Sequence, residues 1–197
     1  MTGILASTLG TTNPPGVGVS IGTGVGAIGF PASGLLGAGL EVALPVDTAF
    51  GFMQTEILDK MDPSKPFFGY TSIRLCPQTK TLLGMQQLPL SVMIEVVSFG
   101  DAWGRQFMSQ LQQSVLAHMD GGNDAMLHWG LENDQLSAAN LAHVPVLTTP
   151  TVAHPGNSVS KLAAFKTVRS LLFDNGGANP PTLFRTFDNA FTNRMGF

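Results

Sequence analysis

Phe67-Phe68-Gly69-Tyr70-Thr71-Ser72-Ile73-Arg74-Leu75-Cys76 reads as a β-strand that stops at Pro77. It is rich in β-branched and aromatic residues, and proline cannot continue a hydrogen-bonded ladder. A second strand, Leu88 to Phe99, follows a connection that contains Gly84. The two can pair antiparallel through that link. Side chains alternate faces along a strand. Thr71, Ile73 and Leu75 therefore share one face with Val92, Ile94 and Val96 opposite them. Tyr70, Ser72, Arg74 and Cys76 share the other with Ser91, Met93, Glu95 and Val97. The pattern predicts one apolar side for helices and one mixed polar side. Arg74 and Glu95 on the polar side are open to two readings: a cross-strand ion pair on a solvated face, or a substrate-facing wall.

Helices flank this pair. Val46 to Met61 carries Phe50, Phe52, Met53, Ile57, Leu58 and Met61 near helical spacing, between a possible cap at Asp47 or Thr48 and the stop Asp62-Pro63. Asp101 is placed to cap a helix running to about Met119, with Trp103, Phe107, Met108, Leu111, Val115 and Leu116 as its stripe and Asp120-Gly121-Gly122 as its end. Ala125 to Trp129 is expected as a short third strand and Leu136 to Leu141 as a helical turn. Val144 to Asn157, with three prolines, is expected to be irregular, and Val159 to Phe173 to be the last clear helix. The aromatic tail from Leu183 to Phe197 is expected to pack back on the body. A strand-strand-helix-strand order predicts an α+β fold, an antiparallel sheet with helices packed on one face.

Upstream, eleven of the first 40 residues are glycine, and the only charge before Asp47 is Glu41. Residues 1–45 are expected to be a Gly-rich irregular lead-in to an α+β domain at 46–197, because glycine loses much entropy on ordering and offers no side chain to bury. Gly24-Val25-Gly26-Ala27-Ile28-Gly29 matches the dinucleotide fingerprint. However, Pro31, Gly34, Gly37 and Gly39 fall where its helix should run, and no later βαβ units complete a sheet.

Charged residues are only 12% of the chain against 44% hydrophobic, and the net charge is −3. Nothing there favours nucleic acid or an anionic membrane surface. One cysteine, Cys76, excludes an internal disulfide framework and a Cys-rich zinc site. No secretory leader or membrane span is read, so a cytoplasmic protein is expected. P-loop, H-E-x-x-H and G-x-S-x-G motifs are absent, and His118, His128, His143 and His154 do not fall at metal-ligand spacings. Only His128, beside Trp129 and Gly130, sits where a binding wall is plausible.

Three blocks together resemble the C-terminal half of FAD-dependent oxidoreductases of the vanillyl-alcohol oxidase superfamily, with the sugar-lactone and alditol oxidases as the nearest branch. They are Gly69-Tyr70-Thr71-Ser72-Ile73-Arg74, then His128-Trp129-Gly130, then Phe187-Asp188-Asn189 with Arg194-Met195-Gly196, and they span about residues 66–197. The resemblance implies a ferredoxin-like cap domain whose polar sheet face covers a flavin and an alcohol-type substrate oxidised at CH–OH. It implies Arg74, Ser72 and Glu95 as catalytic residues and His128 and Asn189 against the cofactor. Tyr70, Met93, Trp129 and Leu131 would contact substrate. FAD would be held mainly by a flavin-binding domain or chain elsewhere. Two departures stand out: Ser72 replaces the family's acidic residue, and Leu131 replaces the lysine after His-Trp-Gly. From a different class, a non-catalytic α+β interaction domain that docks a partner through its sparsely charged surface is the alternative.

Overall fold

A computed structural model describes residues 29–30, 35–65, 67, 69–98, 101–173 and 190–196. Asn189, residues 1–28 and most of the aromatic tail lie outside the described residues. The fold is α+β. A small hairpin pairs β1 (Gly29–Phe30) with β2 (Leu35–Leu36). The main sheet contains β3 (Ala38–Pro45), β4 (Gly69–Pro77), β5 (Leu90–Ser98) and β6 (Met126–Leu127) in the antiparallel order β4-β5-β3-β6.

The strand at Ala38–Pro45 corrects the expectation of an irregular lead-in. It is a central strand, with Leu40, Val42 and Leu44 fully buried. Val42, Leu44 and the apolar residues opposite them offset the entropy cost of Gly39, which a propensity reading of the lead-in weighed alone. Extended backbone at residues 35–36 and 38–45 also stands where a dinucleotide-binding helix would have to run.

Pro45 ends β3, and α1 (Val46–Phe52) continues without a break into a π-helical turn, Met53–Leu58. The long helix α2 (Ala102–Asp120) begins at Asp101, whose side chain accepts from the Gly104 N–H at 2.8 Å. Its buried stripe (Phe107, Met108, Leu111, Val115, Met119) forms one core with Leu40, Val42, Leu44, Val92, Ile94, Val96 and Leu127 from the apolar side of the sheet. Beyond β6 come two single-turn helices, α3 (Ala138–Leu141) and α4 (Pro145–Thr148). A hairpin of β7 (Pro150–His154) and β8 (Asn157–Ser160) then leads into α5 (Lys161–Phe173), and α6 (Ala190–Arg194) follows. The turn between β7 and β8 uses Gly156 at φ 86°, so the three prolines at 145, 150 and 155 punctuate ordered elements where an irregular run was expected.

A second correction concerns β4. It is an edge strand among the described residues, and the helices do not reach it: Ile73 is 43% and Leu75 63% exposed. The apolar side of the sheet therefore extends one strand beyond its helical cover. The connection from β4 to β5 is tied down by buried Gln87. Its Nε2 donates to Thr81 O at 3.2 Å and to Gly84 O, and its Oε1 accepts from Lys161 Nζ at 2.7 Å.

Candidate functional site

The sheet register brings a row of polar side chains onto one face. Ser72 lies opposite Glu95, and Glu95 opposite Glu41. The β3–β6 pairing runs on through the His128 N–H, which donates to Glu41 O at 2.9 Å. With Ala43 opposite Met126 and Val42 opposite Leu127, His128 falls opposite Glu41 and takes the polar side. The row Ser72–Glu95–Glu41–His128 thus crosses all four strands, about 14 Å at the usual strand spacing. Arg74 stands beside it, on the same face, opposite Met93. The helix residues Phe107, Leu111 and Val115 lie on the other side.

Hydrogen bonding fixes the roles. Arg74 Nη2 donates to Glu41 Oε1, and Ser72 Oγ donates to Glu95 Oε2 at 3.1 Å. The cation of the polar face is therefore paired with Glu41, and not with Glu95 as the ion-pair reading of the sequence has it. Glu41 and Glu95 are both buried, while half of the Arg74 side chain remains exposed. The hydrogen bond that Arg74 donates to Glu41 strengthens its hold on its proton, and the carboxylate charges add to it. Burial pushes the Tyr70 hydroxyl above its ordinary pKa, Glu95 adds to the rise and Arg74 opposes it.

At the other end, His128 Nδ1 accepts from the Gly130 N–H at 3.0 Å. An acceptor at Nδ1 leaves the ring proton of a neutral imidazole at Nε2. Leu131 packs over Gly39 beside Val97. The middle of the row is closed to solvent, and Ser72, Arg74, Tyr70 and His128 are its accessible parts.

Two residues expected at the site are placed otherwise. Met93 shares the polar face but is 1% exposed, so it serves as packing between Arg74 and Ala43. Trp129 turns away: its ring meets Phe191 of α6 edge-on, with centroids 5.4 Å apart, and packs against the core. The residue that the sequence reading missed is Glu41. Its signal was available, since it is the only charge in the first 46 residues and lies within an otherwise apolar run. Among the described residues, no group of three His, Cys, Asp or Glu side chains could hold a metal ion.

No family model, no curated protein and no solved structure matches this chain.

Proposed function

We propose that the polar sheet face is the substrate wall of an FAD-dependent oxidoreductase that oxidises an alcohol-type substrate. The flavin would be held mainly by a separate domain or chain. The observation that carries this reading is the single row of Ser72, Glu95, Glu41 and His128, flanked by Arg74 and Tyr70, on one side of the sheet. As a fit for a flavin, the row offers donors at its open positions: a half-exposed guanidinium and an imidazole whose free nitrogen carries a proton. Donors of that kind suit the carbonyl edge of an isoalloxazine ring and the oxygen of an alcohol.

Accepting hydride is the chemistry a flavin supplies when bound. The chain's own residues would bind the substrate oxygen and manage its proton. Arg74, oriented by Glu41, would stabilise negative charge on that oxygen, and positioned charge of this sort is a large catalytic term. Ser72 Oγ would take the hydroxyl proton while passing its own to Glu95 Oε2, so that Glu95 acts through Ser72. Tyr70 and His128 would orient the ligand at the two ends of the row.

The test is anaerobic reduction of the flavin band, by a panel of polyols, lactols and other alcohols, in the protein assembled with its flavin-binding partner. Arg74→Ala is expected to lower kcat/KM about a hundredfold in folded protein. Arg74→Lys should recover only part of it, because lysine lacks the planar fork. Flavin that no alcohol reduces, or reduction indifferent to Arg74, overturns the proposal.

One observation favours the alternative, a non-catalytic interaction domain. Ile73, Leu75 and Leu90 are exposed at an edge of the sheet that the helices leave open. Exposed apolar area on an open sheet edge suits a partner chain.

A further inference from the structure

We propose that Arg194 and Asn133 are positioning residues: a clamp by which α6 sets the conformation of the turn that presents His128. The proposal rests on the reading of His128 as a site residue. β6 is only two residues long, and the His128 N–H is the last bond before the chain turns away. The chain meets β3 again at Glu132, whose N–H donates to Gly39 O at 2.8 Å. A turn that short, with an exposed glycine at its tip, has little ladder to define it.

Side chains supply the definition. Asn133 is 8% exposed and sits inside the turn. Its Nδ2 donates to Trp129 O at 2.7 Å and His128 O at 3.3 Å. Arg194 then closes over it: Nε donates to Leu136 O at 2.6 Å, and Nη2 donates to Asn133 O at 3.0 Å and to Asn133 Oδ1 at 2.9 Å.

The bond to Oδ1 matters most. A carboxamide can flip, and a donor held on its oxygen admits only the orientation that aims Nδ2 at the two carbonyls. Arg194 thus selects the state of Asn133 that holds the His128 and Trp129 carbonyls, and with them the Gly130 N–H on His128 Nδ1. Arg194 is itself seated, since its neighbour Met195 is fully buried and Phe191 meets Trp129 edge-on. Lysine has one nitrogen and cannot serve all three acceptors in this geometry.

The test is made on the full chain without flavin, so that its failure is separable from failure of the oxidoreductase reading. Imidazole nitrogen NMR, with His128 assigned from a His128→Gln variant, reports the tautomer. Amide hydrogen exchange reports the turn. In Arg194→Ala, and in Arg194→Lys, the His128 signals should move toward the tautomer average while those of His118, His143 and His154 stay. The Gly130 amide should exchange roughly ten- to a hundredfold faster, the effect of losing charge-assisted hydrogen bonds, with β5 amides unchanged. Asn133→Ser should reproduce the same pattern. If Arg194→Ala unfolds the whole chain, the lysine variant decides. Unaltered His128 signals there, or protection lost equally in the turn and in β5, overturn the clamp.

Discussion

On the ion-pair reading of the sequence, Arg74 is assigned to the correct side of the sheet and still to the wrong partner. Alternation along β4 puts it on the polar face, but its counter-ion, Glu41, comes from a strand that glycine content concealed. Removing the guanidinium would leave Glu41 buried without its partner beside Glu95. A fully buried pair broken in this way costs 3–5 kcal/mol as an order of magnitude, about 1–3 kcal/mol here because half of Arg74 is solvated. Arg74→Ala is therefore expected to lower denaturation stability by that amount, and Glu41→Gln in the same chain to restore most of it. Strictly additive effects in the double-mutant cycle would show that the pair is not coupled. Glu132 gives a pH test. Burial raises its carboxyl pKa above the ordinary range, Asp134 adds to the rise and Arg105 opposes it. The folded state then binds more protons than the unfolded one, so this group's contribution is most favourable below the unfolded pKa and is lost as pH rises through the folded one. Glu132→Gln should flatten that decline in a pH series of unfolding midpoints. A steeper decline in the variant would reverse the assigned direction.

At the scale of elements, periodicity and punctuation made most of the fold legible. β4 and β5 were marked by alternation and by Pro77. α2 was marked by its stripe, by the cap Asp101 and by the glycines after Asp120. β3 was not legible, because Gly39 and its glycine-rich approach mask a strand whose worth lies in non-local pairing with β5 and β6. β7 and β8 were hidden in the same way by prolines that fall at the ends of elements. The site was legible as a face and not as a network: alternation selects Ser72, Arg74 and Glu95, but only the β3 and β6 registers bring Glu41 and His128 into their row. One element-level prediction runs against propensity. A Cβ built at Gly104 would fall 1.9 Å from Ser98 Oγ and 2.6 Å from Asp101 Oδ1, where α2 starts directly on β5. Gly104→Ala should therefore destabilise the chain by about 1–3 kcal/mol through overpacking, although alanine is the better helix former. A rise in melting temperature in this variant would mean that α2 starts farther from the sheet.

For the molecule as a whole, the two sides of the sheet differ in character. The apolar side packs against α2 and, past the helices, exposes Ile73 and Leu75 at an edge that is open among the described residues. The other gathers nearly all the chemistry described here. No described helix is long and apolar enough to cross a membrane. Leu75→Lys should change unfolding stability by less than about 0.5 kcal/mol, because the side chain is mostly exposed already. It should also suppress self-association in sedimentation if the edge is sticky; a large loss of stability would mean that the edge is covered. The central claim is that the polar side is the working face. It is tested most directly by titrating an isoalloxazine probe such as lumiflavin into the labelled chain and mapping chemical-shift changes by NMR. The account predicts weak binding, with shifts concentrated at Tyr70, Ser72, Arg74 and His128 and the side chains of Ile73 and Leu75 unaffected. Shifts centred on Ile73 and Leu75 or on α2, with the polar row silent, would contradict it.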